Sequence, residues 1–156
     1  NNWAIGKNND LLYNIKEDMR FFRDTTKNAI VVCGFNTLLS FPGSKPLKGR
    51  STIVLCPAEI ERDDCYCVHD FNEMVRLVKE LSKTQDVFVI GGAMLYASMV
   101  SYYDVVYVTK VDASDEEATA FFPNIDEKNF VITHESDTFE ENSLKFKFVT
   151  YKRVDV

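Results

Sequence analysis

The sequence predicts an α/β protein. The expected form is a single domain, residues 1–156, with a mixed, mostly parallel central β-sheet flanked by helices and a C-terminal antiparallel hairpin. Three observations carry this. Residues 29–33 are short and continuously apolar, and 51–56 and 87–90 are largely apolar and partly β-branched, as in strands that parallel sheets bury on both faces. Segments of helical period stand between such runs, the signature of βαβ units. Near the end, Leu144, Phe146 and Phe148 alternate with Lys145 and Lys147, a half-exposed edge-strand pattern. At 156 residues the chain is long enough to bury a substantial core.

In chain order, residues 1–6 open with no preceding strand, as though in mid-domain, and residues 7–10 read as a polar loop. Leu11, Leu12 and Tyr13 form an apolar patch within that loop. A helix follows over residues 16–26. At about 100° per residue, Ile15, Met19, Phe22 and Thr26 share a face, and Asp18 falls in the middle of it. A carboxylate on an apolar stripe is costly unless it is paired or working. The plainer alternative is that Asp18 complements the positive end of its helix.

Strand 29–33 runs into a glycine turn, residues 34–37. Residues 41–50 are loop, and strand 51–56 is stopped by Pro57. A charged connection over 58–64 leads to a short strand, 65–68. Asp70 and Glu73 have the spacing of a capping box, and Phe71, Met74, Val75, Val78 and Leu81 make the apolar face of the helix it starts. Strand 87–90 meets Gly91 and Gly92, and a helix runs from Ala93 to about residue 100. Glycine lacks a Cβ, so the backbone there can lie close against a ligand, and the next helix offers free N–H groups suited to phosphate. Ligands of open α/β sheets sit at the carboxyl ends of strands, where this pair falls. An ordinary strand-to-helix turn is the alternative. Residues 104–111 form a strong strand and 113–118 an acidic loop closed by Phe121, Phe122 and Pro123. Residues 130–135 and 144–151 read as antiparallel strands joined by a polar turn over 140–143.

Composition narrows the function. A net charge of −6 argues against nucleic acid, which wants a basic surface. No apolar run has membrane-spanning length, and nothing at the start reads as a signal peptide. Of the four cysteines, Cys33 and Cys56 lie in apolar runs. Cys65 and Cys67 have only His69 nearby, too few partners for zinc, so no metal is expected. Free thiols without a signal peptide point to a reducing cytoplasm. His69 and His134 show no catalytic role.

Eight local signals stand in one order: Ile5-Gly6, Leu11-Leu12-Tyr13, Asp18 with Phe22, Gly34-x-x-Thr37, Pro46-Leu47-x-Gly49-Arg50, Ile90-Gly91-Gly92, Tyr107-Val108-Thr109 and Phe121-Phe122-Pro123. Each is weak alone, but the series closely resembles dihydrofolate reductase of the monofunctional bacterial type, over nearly the whole chain. The resemblance implies hydride transfer from NADPH to C6 of the pterin of dihydrofolate, with N5 protonated through water. Asp18 matches the carboxylate that accepts the pterin's two adjacent donors as a bidentate pair. Thr109 matches the hydroxyl bonded to it. Leu11 lies in the loop that gates the nicotinamide, and Tyr13 beside the proton path. Met19, Phe22, Phe41, Leu47 and Ile90 match the apolar lining for the pterin and p-aminobenzoyl rings, which antifolates also occupy. Arg50 matches the clamp on the substrate's glutamate α-carboxylate, suited by its fork of donors. Ile5, Asn9 and Asp10 match positions near the nicotinamide and ribose. Gly34, Phe35, Asn36, Thr37, Leu55, Cys56 and Pro57 match cofactor contacts, as do Gly91, Gly92, Ala93, Met94, Leu95 and Tyr96, with a cis peptide between the paired glycines. A monomer is expected.

The departures are specific. Tyr13 replaces a usual tryptophan, which alters the proton path. Phe35 and Pro57 replace a common arginine and serine at the adenosine 2′-phosphate, which weakens NADPH preference over NADH unless Lys27, Asn36 or another charge substitutes. Thr119-Ala120 stands where Asp-Thr is common. The resemblance implies a first strand, part of the pterin floor, ahead of residue 1. Two alternatives remain. A riboflavin-pathway reductase shares the fold, but Asp18, Phe22 and Arg50 describe folate rather than a sugar phosphate. A nucleotide-binding module without catalysis is opposed by the intact Asp18 and Thr109.

Overall fold

The structure, a computed structural model, describes residues 3–7, 10–13 and 15–154, with Asp10 and Leu11 described through their backbone. The first half contains β1 (Ala4–Lys7), β2 (Asp10–Leu11), α1 (Lys16–Thr26), β3 (Ile30–Gly34), α2 (Phe35–Ser40), β4 (Ser51–Leu55) and β5 (Tyr66–Val68). Then come α3 (Phe71–Leu81), β6 (Val87–Gly91), α4 (Ala93–Met99), β7 (Val105–Val111), β8 (Ala120–Phe121), β9 (Phe130–Glu135), β10 (Phe139–Glu141) and β11 (Leu144–Arg153). The chain divides into two compact units: a central unit of residues 21–96, and a terminal unit of residues 1–20 with 97–156.

The α/β class predicted from sequence holds, with parallel pairing confined to the central unit. Its four strands stand in the order β5-β4-β3-β6, every pair parallel. Helices α2 and α3 lie in the connections that return the chain for parallel pairing, which a tight turn cannot do. The continuous apolar run of β3 is explained by burial: Ile30, Val31, Val32 and Cys33 are all at most 5% exposed. Cys33, Leu38, Val54 and Cys56 form one core cluster. Asp70 caps α3 as its spacing predicts, accepting from Asn72 N at 2.8 Å. Helix α2 was not legible from sequence, where residues 34–37 read only as a turn. It forms because Leu38, fully buried, anchors it on the core.

The larger sheet of the terminal unit is antiparallel throughout, and a short turn joins β10 to β11. The order is β10-β11-β7, with β9 also on β11. This corrects two expectations. The segment between β9 and β11 is no simple turn at 140–143: it holds β10, and only Asn142 and Ser143 turn, both at positive φ (53° and 66°). Positive φ at both central residues is the tight-hairpin geometry whose twist matches the strands. Strand β11 is interior rather than an edge, because its ten residues serve β7 on one side and β10, then β9, on the other. Val149 and Tyr151 pack with Val106, Ile125 and Phe130. Phe146 and Phe148 instead cluster with Phe139, the three rings lying at mutual centroid distances of 5.7–5.9 Å. Residues 4–7 and 10–11, expected as irregular chain, are strands in a small sheet ordered β2-β1-β8.

Candidate functional site

In the terminal unit, Asp18 and Thr109 meet although 91 positions separate them. Asp18 lies in the first turn of α1, and Thr109 lies on β7 opposite Phe148 of β11. The Thr109 hydroxyl donates to Asp18 Oδ1 at 2.6 Å. Burial pushes the Asp18 carboxyl above its ordinary value, and the Thr109 bond pulls in the opposite direction without cancelling it. The acid singled out on the apolar stripe is therefore half-buried and paired with a hydroxyl. Its neighbours on that stripe divide: Ile15 and Thr26 are buried, Phe22 is half-buried, and Met19 is 47% exposed, further out than its helical phase predicts. The Tyr13 hydroxyl is buried with no partner among the described residues. Ile5 is half-buried, its carbonyl accepting from Leu12 N at 3.3 Å. Asn9 and the side chains of Asp10 and Leu11 lie outside the described residues.

The central unit brings the two glycine turns together. The chain runs outward from β3 to β4 and β5, then returns to place β6 on the other side of β3. The strand order reverses between β3 and β6, the kind of switch point where open α/β sheets take ligands. Gly34 ends β3 and Gly91 ends β6, with Cys33 in register with Gly91. The Gly91–Gly92 peptide is cis. A Cβ on Gly91 would lie 3.3 Å from Thr37 Oγ1, and one on Gly92 3.4 Å from the same atom. Threonine of the first turn thus packs on glycines of the second. Gly34 differs: its φ of −79° is ordinary, and an added Cβ would meet no atom of the described residues within 4 Å. Among the described residues nothing demands a glycine there. Helices α2 and α4 are six and seven residues long, so the backbone turns, rather than long helix dipoles, are the features offered to a ligand.

The other residues picked out in this unit have mixed placements. Phe35, Phe41 and Ile90 pack together on the Cys33–Leu38–Val54–Cys56 cluster. Leu47, Leu55, Ala93 and Tyr96 are half-buried, while Asn36, Pro57 and Lys27 are exposed. Met94 projects at 86% exposure. Cys56 and Leu95, expected as cofactor contacts, have core side chains, 4% and 6% exposed. Both main-chain groups of Cys56 are also engaged, its N–H donating to Val68 O and its carbonyl accepting from His69. Cys56 therefore has a packing role.

Arg50 is held more firmly than a loop charge. Its Nε donates to Thr26 Oγ1 at 2.8 Å, Nη2 to Arg23 O at 2.9 Å and Nη1 to Lys48 O. The guanidinium thereby caps the Arg23 carbonyl in the last turn of α1, and one N–H on each terminal nitrogen remains for a carboxylate. The sequence suggested no role for His69. Its Nδ1 lies 3.0 Å from Pro57 O and its Nε2 3.0 Å from Glu61 Oε1, and these partners raise its pKa, Glu61 first. It ties down the turn after β4. No periodic signal marks it, because Glu61 lies in an irregular connection. Among the described residues no group of three or more His, Cys, Asp or Glu gathers as a metal site.

A paired, half-buried carboxylate on one unit and glycine turns at a parallel-sheet switch point on the other define an α/β protein equipped for a small polar substrate and a nucleotide-like ligand. Comparison with known proteins makes this particular. Residues 1–153 match the family model for dihydrofolate reductase. The dihydrofolate reductase of Bacillus subtilis is 31% identical over 97% of this chain and 89% of its own length. That of Schistosoma mansoni is 36% identical over 96% and 90%, and the viral enzyme of Saimiriine herpesvirus 2 is 31% identical over 98% and 81%. The chain belongs to the dihydrofolate reductase family and fits its bacterial, monofunctional type.

Proposed function

We propose that this protein is an NADPH-dependent reductase of 7,8-dihydrofolate, yielding tetrahydrofolate for one-carbon metabolism, and that residues 1–156 act as one reductase domain. The observation that carries the reading is the 2.6 Å bond from Thr109 to Asp18. A carboxylate held by a hydroxyl on one oxygen is oriented to accept the two adjacent donors of a pterin. Asp18 binds and orients the ring, and its partial burial strengthens that recognition while favouring proton uptake near N5. Tyr13 stands beside the proton path and Leu11 in the covering loop. Arg50, pre-set by Thr26 and two carbonyls, presents its remaining N–H groups to the glutamate tail. Phe22, Phe41, Leu47, Ile90 and the outlying Met19 provide apolar contact for the rings, and antifolates of the same shape compete there.

The residues suited to the cofactor are Gly34, Thr37, Gly91 and Gly92, whose backbone permits close approach, with Phe35, Asn36 and residues 93–96 around them. NADPH supplies the hydride. No arginine follows Gly34, and the post-β4 turn is tied by Glu61 and His69, so discrimination of the 2′-phosphate rests on other charges. We further propose a cytoplasmic monomer that binds neither nucleic acid nor membrane; no helix among the described residues is long and apolar enough to cross a membrane. The test is cofactor oxidation with dihydrofolate, run with NADPH and NADH side by side. Faster turnover with NADPH is the expected result. Turnover mainly with NADH would remove the cofactor assignment, and none with either would remove the reaction.

A further inference from the structure

The amides that open α1 find their acceptor far along the chain. The residue immediately before the helix is Ile15, 2% exposed, whose side chain has no oxygen to offer a helix N–H. The carboxylate of Glu141 takes that role instead. Its Oε2 accepts from Lys16 N at 2.6 Å and its Oε1 from Glu17 N at 3.2 Å. These bonds are charge-assisted, and the carboxylate sits at the positive end of the helix. Glu141 is the last residue of β10, opposite Leu144, and closes the Asn142–Ser143 turn. The same sheet carries Thr109, because β10 pairs with β11 and β11 with β7. One sheet therefore grips the first turn of α1 twice, through the backbone at Lys16 and Glu17 and through the side chain at Asp18. A local cap would satisfy the amides without tying the helix to the sheet.

We propose that Glu141 is a positioning residue for Asp18. Its carboxylate fixes the opening turn of α1 on the sheet and so sets the Asp18 carboxylate against Thr109. This rests on the reading of Asp18 as the pterin-binding group. The amides held by Glu141 precede Asp18 by one and two residues, so a shift there passes directly to the Asp18 backbone. Small displacements of a recognition group are enough to weaken binding and rate.

The test compares Glu141→Ala and Glu141→Gln with Asp70→Ala, which removes a side-chain cap from α3 in the other unit. The first readout is the ¹³C resonance of the Asp18 carboxyl in the unliganded protein, assigned by its loss in Asp18→Asn. The second is kcat and KM for dihydrofolate. In Glu141→Ala the Asp18 resonance moves and kcat/KM falls about tenfold, mainly through KM. Glu141→Gln, with one acceptor oxygen, falls between wild type and alanine and keeps the comparison alive if the alanine variant does not fold. Asp70→Ala loses stability and moves neither readout. An unmoved Asp18 resonance with turnover within twofold of wild type would overturn the proposal, as would equal changes in Glu141→Ala and Asp70→Ala. A wild-type protein without turnover would remove the functional reading alone, since the resonance still decides the positioning role.

Discussion

Replacing Gly91 by alanine puts a methyl group where Thr37 already packs. The new Cβ would lie 3.3 Å from Thr37 Oγ1 and 3.5 Å from its Cγ2. Threonine is stiff at χ1, so it cannot simply swing aside. Gly91 also sits at φ +142°, a conformation that costs an L residue about 1–3 kcal/mol. With crowding added, the expected destabilisation is about 2–5 kcal/mol, a large share of the 5–15 kcal/mol typical of a domain, on the order of what one substitution can remove. Trimming the neighbour separates the two causes. Thr37→Ala in the Gly91→Ala background relieves the crowding and recovers about 1 kcal/mol, while the φ cost stays. Gly34 provides the contrast, because its φ is ordinary and its Cβ position is open. Gly34→Ala should stay within about 0.5 kcal/mol of wild type, the loss of unfolded-chain freedom offsetting a poorer N-cap. It should nonetheless weaken NADPH binding about tenfold, because the methyl intrudes where the backbone meets the nucleotide. Urea unfolding and cofactor titration measure these quantities. A Gly91→Ala protein within 0.5 kcal/mol of wild type, on the order of experimental error, would refute the packing argument. Unchanged cofactor affinity in Gly34→Ala would refute the close-approach argument.

Thr109→Val removes the bond that holds the Asp18 carboxyl down and leaves its burial in place. The acid limb of the kcat/KM profile should therefore move to higher pH; an unmoved limb would show that the limb does not report Asp18. Asp18→Asn should lose most turnover, yet exceed wild type in stability at neutral pH. The folded-state carboxyl titrates above its ordinary 3.8, so its ionisation opposes folding as pH rises through the folded value. The margin should vanish below pH 3.8, and a margin that persists there would have another origin. Arg50→Ala should raise KM for dihydrofolate while sparing pterins without the glutamate tail. It should also lower stability by about 1–3 kcal/mol, since Thr26 Oγ1 and two carbonyls lose their donor. Equal KM changes for both substrates would exclude the tail clamp.

Local pattern was enough to read the main elements. Helix α1 and its unusual Asp18 follow from a 3.6-residue period, α3 and its Asp70 cap from a four-residue motif, and β3, β4 and β6 from short apolar runs. Only β3 is buried along its run, however, and β6, read from sequence as a buried strand, is half-buried at the end of the strand order. Those signals lie within a few residues of one another, where helix and strand geometry dictates which side chains share a face. The order of glycine turns, acid and arginine likewise made the family legible. Tertiary structure alone decided the pairings. Thr109 reaches Asp18 across 91 positions and Glu141 reaches Lys16 across 125, and no period connects such residues. The same holds for β10, too short to announce itself, and for the interior place of β11, whose lysine–phenylalanine alternation resembles an edge until three neighbouring strands claim it. A side chain's period reports which face it occupies, but what stands against that face is set by segments the chain brings back from far away.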